Sequence, residues 1–171
     1  KVVGTTMSMM HLLESGGYRL SDPVSQYIPG FQPYVDPETG EETEIRIIDL
    51  LTHTSGLPGY VSADKVIKTY GKADPDSLMA YICTMPRNFK PKTAYKYSCL
   101  NFITLQNVLQ NITGELLCDY AQRNVFDVLG MEHTTYRPKA SGKTEIMKLV
   151  APTTVSADGS VLLGETHDPL A

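Results

Sequence analysis

Residues 47–58 read Ile47-Ile48-Asp49-Leu50-Leu51-Thr52-His53-Thr54-Ser55-Gly56-Leu57-Pro58, and the organisation of the chain follows from how this stretch is read. Apolar residues in adjacent pairs around Asp49 predict a helical turn over Ile48–His53. Ser55-Gly56 and Pro58 end it, because glycine admits turn conformations and proline cannot continue a helix. A short strand, Ile45-Arg46-Ile47, is expected to lead into it. On this reading Asp49 is an exposed helix residue, and His53 holds the following turn by hydrogen bonds.

Working outward, the remaining punctuation is also helical. Lys1 to Glu14 carries apolar residues at Val3, Met7, Met10 and Leu13, and Gly16-Gly17 stops it. No Ser, Thr, Asp or Asn precedes Val2 as a cap, so this helix reads as entered partway, and any leader is expected upstream of residue 1. Asp22-Pro23 predicts a short helix ending at Pro29-Gly30, and a polar loop follows over Gln32–Glu42. Asp74-Pro75 caps another helix with Leu78, Met79 and Ile82 on its apolar side. Asn88–Tyr97 is proline-broken and extended. Ser98 then caps a helix running through Asn111, with Leu100, Ile103, Val108, Leu109 and Ile112 inward and Gly114 closing it. A further helix is expected over Leu116–Phe126, and Asp158-Gly159 predicts a β-hairpin. His167-Asp168-Pro169 reads as a turn or cap. The chain is expected to be mainly α, with too little strand for a complete sheet.

Composition narrows the function classes. A net charge of −4 with scattered lysines and arginines argues against a nucleic-acid partner, which needs a concentrated basic face. No apolar run is long enough for a membrane span. Cys83, Cys99 and Cys118 show no CxxC spacing, and His11, His133 and His167 show no ligand spacing, so neither a metal site nor a cofactor is expected.

Four stretches, in order, resemble the serine β-lactamase and penicillin-binding-protein-like hydrolases, the class C and esterase-like branch in particular. Residues 47–58 are similar to that family's LLTHTSGLP signature. Phe89-Lys90-Pro91-Lys92-Thr93-Ala94-Tyr95-Lys96-Tyr97-Ser98-Cys99-Leu100-Asn101 resembles its PGT…YSN segment. Val125-Phe126-Asp127-Val128-Leu129-Gly130-Met131 with Thr134-Thr135 resembles its PLGM helix end, and Val150-Ala151-Pro152-Thr153 with Gly164-Glu165-Thr166-His167-Asp168 its APTE…HD region. The resemblance runs nearly end to end.

What it implies is a single partial domain over residues 1–171: the helical lobe of the α/β β-lactamase/transpeptidase-like fold, with most of the sheet missing. It also implies catalytic roles for Lys1, as the lysine of a Ser-x-x-Lys motif, and for Tyr97. Serine three residues before a lysine on one helix shares its face. The nucleophile would therefore lie three positions ahead of Lys1, and the Lys-Thr-Gly-like strand beyond Ala171. The lysine accepts the serine proton only if its pKa is lowered. Cys99 stands where the family often has asparagine, placing it at the substrate without an amide to offer. Lys92 stands for the glycine of PGT, which implies ordinary backbone angles there. The expected partner is a small-molecule ester, β-lactam or peptide, and the expected setting is the periplasm or cell envelope. The remainder of the parent domain would be needed for activity.

Each residue has a plainer reading. An N-terminal lysine is ordinarily a solvated end, Tyr97 a packing residue with a satisfied hydroxyl, and Ser98 a helix cap. His53 also invites a Ser/His/Asp grouping with Asp49 and Ser98. For the whole chain the rivals are a catalytically silent member binding cell-wall peptides or a protein, and an unrelated helical interaction module.

Overall fold

The structure, a computed structural model, describes residues 1–140, 142, 144–155 and 158–166. His167 and Asp168 lie outside the described residues.

The chain opens with a wide helical turn, Val2–Thr6, that continues into α1, Met7–Glu14. Val3, Met7 and Met10 face outward, 48%, 40% and 50% exposed, while Gly4, Thr5, Ser8, Met9 and Leu12 face inward. Small residues on the inner face let the backbone lie close to its neighbours. The Tyr136 hydroxyl sits where a side chain on Gly4 would go and pairs with Thr5 Oγ1 at 3.2 Å.

Asp22-Pro23 starts a single 3-10 turn, Val24–Gln26, shorter than predicted. Within the predicted polar loop, β1 (Tyr34–Val35) and β2 (Glu42–Thr43) pair antiparallel. The predicted strand at Ile45–Ile47 is reduced to one bridge between Pro23 and Arg46, and Ile47 opens α2, Ile47–Leu51. Asp49 explains the difference. Its Oδ2 accepts the Arg46 backbone N–H at 2.9 Å, which satisfies a free donor at the helix start and turns the chain there. Asp49 is consequently 1% exposed, not the exposed residue its charge suggests.

The sequence reading missed α3, Ala63–Tyr70, which buries only Val66 and ends on Gly71 in the left-handed conformation. α4, Pro75–Thr84, starts as predicted, with Asp74 Oδ1 accepting the Ser77 N–H at 2.8 Å and Pro75 in the first turn. α5, Cys99–Thr113, ends on Gly114 at φ 71° and packs against α1, α2, α4 and α6. Its Leu100, Leu105, Val108 and Leu109 are at the centre of the main core, while Ile103 and Ile112 are partly buried. α6, Leu117–Ala121, widens into a π-helical turn, Gln122–Phe126. After α7, Thr144–Met147, β3 (Pro152–Val155) and β4 (Val161–Leu163) form the predicted hairpin. Among the described residues the chain is thus helical with two small two-stranded sheets. No described helix is long and apolar enough to cross a membrane, and the three cysteines are free.

Arg87 locks the C-terminal end of α4. Its guanidinium donates to the carbonyls of Ile82 (3.0 Å), Cys83 (3.1 Å), Met85 (2.5 Å) and Gln32 (2.8 Å), and lies 4.8 Å from the Phe31 ring centre. Burial pulls its pKa down to about 10, so it remains charged at neutral pH. Truncation would strand several carbonyls that only a charged donor fork satisfies together. Arg87→Ala is therefore expected to lower unfolding stability by about 3 kcal/mol or more, read from the urea midpoint.

Candidate active site

Two loops meet above the N-terminal end of α5. The first, Thr52–Gly59, leaves α2 through His53 at φ 58° and Gly56 at φ 79°. The second, Asn88–Ser98, together with the first residue of α5, crosses it on four backbone bonds. Asn88 N–H donates to Gly56 O (2.7 Å), Lys92 N–H to Thr54 O (2.9 Å), Lys96 N–H to His53 O (3.0 Å) and Cys99 N–H to Gly59 O (2.9 Å). Lys92 adopts φ 70°, a left-handed conformation rather than the ordinary angles expected of it. The turn needs that geometry to aim its N–H at Thr54 O, and lysine accepts a cost of about 1 kcal/mol for it.

Beneath the crossing lies a buried polar network. Leu57 N–H donates to Ser55 Oγ (3.1 Å), Ser55 Oγ–H donates to Asn101 Oδ1 (2.6 Å), and Asn101 Nδ2 lies 3.0 Å from His53 Nδ1. The same Nδ1 lies 3.3 Å from Ser98 N. Ser98 Oγ does not cap α5 but donates to Pro58 O at 2.6 Å, a further tie between the loops. Ser55, Ser98 and Asn101 are 1%, 0% and 0% exposed, so their bonds form in a water-poor setting where each counts.

This scaffold sets Tyr97 at the surface, 51% exposed, against the start of the chain. Lys1 Nζ donates to Tyr97 Oη at 3.0 Å and to Cys99 Sγ at 3.3 Å. Lys1, Tyr97 and Cys99, which the sequence singled out, therefore come together, with 96 residues separating the lysine from the tyrosine. Partial burial alone would lower the pKa of Lys1. Its hydrogen bonds to Tyr97 and Cys99, with the attraction of their negative forms, outweigh that effect and leave it raised. A general-base lysine would need a lowered pKa, whereas these contacts favour the ammonium form of Lys1.

The Ser/His/Asp grouping does not form. His53 Nδ1 faces the Ser98 backbone rather than its hydroxyl, and Asp49 faces the Arg46 amide and Lys92 Nζ, at 4.0 Å. Burial raises the Asp49 pKa against the Arg46 bond and the Lys92 charge, and its Oδ1 has no hydrogen-bond partner. A carboxyl raised in the fold favours the folded state most below its unfolded pKa of about 4, and that advantage is lost as pH rises through the folded value. Asp49→Asn keeps an acceptor for Arg46 and removes the titration. It should therefore gain stability relative to the parent chain between pH 4 and pH 7 in urea melts, whereas a constant difference would mean that Asp49 is ionised without penalty.

Asn101 and Ser55 are the residues sequence reasoning missed. The signal was available, since Asn101 sits in the first turn of α5 on the face shared with Leu105 and Val108. No group of His, Cys, Asp and Glu suited to a metal occurs among the described residues. A cavity of about 460 Å³ lies between Phe126, Met131, His133 and Ile146, and none of Lys1, Tyr97 or Cys99 lines it. Converging chemistry, not concavity, marks the site.

Known proteins carry the same architecture. The chain is 28% identical over 145 residues to an N-acetylmuramyl-L-alanine amidase of Bacillus subtilis, a match covering 83% of this chain and 33% of the relative. It is 27% identical over 147 residues to a putative D-alanyl-D-alanine carboxypeptidase of Salmonella gallinarum, covering 84% of this chain and 34% of that protein. The chain thus spans about a third of the length of these curated relatives. Its fold superposes on a beta-lactamase/D-alanine carboxypeptidase from Yersinia pestis with a TM-score of 0.65 at 25% identity, covering 84% of this chain and 40% of that one. The family model described as Beta-lactamase matches residues 1–159, a stretch holding both loops and the Lys1–Tyr97–Cys99 cluster, and the chain accordingly belongs to the Beta-lactamase family.

Proposed function

We propose that the full-length protein is a serine hydrolase that works through an acyl-enzyme, with Lys1 and Tyr97 as catalytic residues and Cys99 at the substrate. The observation that carries this reading is the 3.0 Å contact from Lys1 Nζ to Tyr97 Oη at the crossing of the two loops. The nucleophile is a serine three positions ahead of Lys1 on the same helical face.

The chemistry follows from the tyrosine oxygen, which has one proton to give and two lone pairs. One lone pair accepts from the Lys1 ammonium. As the serine oxygen bonds to the acyl carbon and the leaving-group bond breaks, the tyrosine's own proton moves ahead to the leaving group, and the serine proton replaces it on the phenol oxygen through the second lone pair. The acyl group ends on serine and the leaving group departs protonated. Water repeats the exchange to release the acid. Lys1 keeps its charge throughout and steadies negative charge building on the phenol oxygen, which agrees with its raised pKa.

Cys99 offers no amide to a substrate carbonyl, which favours esters over β-lactams or D-alanyl peptides. The names of the two curated relatives refer to muramyl-L-alanine and D-alanyl-D-alanine linkages, and they support a place in the cell envelope for this protein too. The site draws its nucleophile from outside residues 1–171, so these residues alone should not turn over substrate. Steady-state assays of the full-length protein with a nitrophenyl ester, a chromogenic cephalosporin and a D-alanyl-D-alanine peptide test the proposal. Turnover that is greatest on the ester and is lost in Lys1→Met supports it. Full activity in Lys1→Met, or turnover by residues 1–171 alone, refutes it.

A further inference from the structure

We propose that neutral His53 is a positioning residue for Tyr97, holding the tyrosine-bearing segment through Nδ1, so that protonation of His53 releases that segment. This rests on the serine-hydrolase reading above for its effect on turnover, but not for the structural link itself.

The proton assignment follows by elimination. Ser98 N is a backbone amide and only donates, so the atom facing it at 3.3 Å, His53 Nδ1, accepts. Asn101 is oriented independently, because Ser55 Oγ takes the Leu57 N–H as acceptor and spends its own proton on Asn101 Oδ1. The other end of the Asn101 amide, Nδ2, therefore presents N–H to His53 Nδ1 at 3.0 Å. Two donors converge on one nitrogen, which must be unprotonated, with the ring's proton on Nε2. The same ring packs against Tyr97, with centroids 4.7 Å apart, and against Phe102 at 5.4 Å and Tyr95 at 6.1 Å. His53 thus grips the residue after Tyr97 by its amide and Tyr97 itself by its ring.

Placing a proton on Nδ1 sets three donors against one another in a partly buried site, so both bonds are lost together. The ionisable groups whose rings or charges reach His53 are Lys1, Tyr95 and Tyr97. Burial, and then the Lys1 charge, hold the imidazole pKa below its ordinary 6.5. A histidine depressed in the fold adds stability that is complete above its unfolded pKa and is lost as pH falls through the folded one. The grip is therefore firm at neutral pH and fails as pH falls through the lowered imidazole pKa.

The test is made on the full-length protein with ¹⁵N-histidine and ¹⁵N-serine labels. At neutral pH, Nδ1 of His53 should resonate as an unprotonated acceptor, and the Ser98 amide should shift with the same midpoint as the imidazole on acidification. A protonated Nδ1 at neutral pH, or a Ser98 amide indifferent to that titration, overturns the proposal, and neither observation requires catalysis.

Kinetics supply the functional arm. His53→Phe keeps a ring and loses the acceptor, and should lower kcat by about 10- to 100-fold with KM changed less than about threefold. His53→Gln restores an acceptor that does not titrate. It should recover part of kcat and remove the acid limb of the pH–kcat profile, while a limb arising from Asp49 would persist. Equal losses in both variants, with the acid limb unmoved, contradict positioning through Nδ1. Loss of the NMR linkage defeats this inference while leaving the hydrolase reading intact. Retained activity in Lys1→Met defeats that reading while leaving the linkage intact.

Discussion

Tyr97→Phe in the full-length protein is expected to lower kcat by about 10²- to 10⁴-fold while leaving its unfolding stability within about 0.5 kcal/mol. The separation of the two effects follows from where the ring sits. At 51% exposure Tyr97 contributes little to the core, and phenylalanine keeps its contact with His53. What disappears is the oxygen that accepts from Lys1 and hands a proton onward. Lys1→Met removes the other half of that pair and should fall within the same range. The double variant should lose little more than either single one, because the two groups act as a unit. Additive losses would mean that the residues contribute separately. A parallel fall in stability would mean that Tyr97 is a packing residue, as its plainer sequence reading has it.

The second large effect is on stability. Gly56→Ala meets two obstacles at once: a left-handed φ of 79°, and the Phe89 carbonyl oxygen 2.2 Å from where the new methyl would stand. Backbone strain costs about 1–3 kcal/mol, and relieving the overlap pulls apart the segment that donates from Asn88 to Gly56 O, worth about 1 kcal/mol more. A loss of about 3 kcal/mol in urea unfolding is therefore expected, with a fall in turnover because the loops bearing His53 and Tyr97 separate. Gly71→Ala is the control. Its φ is also 79° but nothing lies within 4 Å, so about 1 kcal/mol is expected there. If the two substitutions cost the same, the close approach of the loops contributes nothing.

How far the sequence discloses this molecule varies residue by residue, for physical reasons. The boundaries of α4 and α5 were legible because Asp74-Pro75 and Gly114 do local work that no distant contact overrides. α3 was missed although Val66 and Tyr70 stand one helical turn apart and Gly71 closes it, a pattern the sequence does carry. Asp49 was misplaced because charge predicts exposure, whereas its carboxylate folds back on the Arg46 amide. The Lys92 backbone could not be read from a residue that seldom adopts positive φ, since the opposing Thr54 carbonyl imposes it.

The site divides in the same way. Lys1, Tyr97 and Cys99 were named through a resemblance in motif, and nothing in their spacing brings position 1 to position 97. The direction of the Lys1 pKa was not legible in the sequence, because it depends on two partners that only folding supplies. The Ser55–Asn101–His53 network was invisible for a related reason: it joins the first loop to α5, two segments more than 40 residues apart in sequence that only the fold brings together.

The most direct test of the central claim is to trap the acyl group. The full-length protein is mixed with a slowly released ester or a fluorophosphonate, digested, and the labelled peptide sequenced by mass spectrometry. The account predicts one adduct, on a serine three positions ahead of Lys1, formed in the parent protein and strongly diminished in Lys1→Met. An adduct on any other residue, or equal labelling in the two proteins, would contradict it.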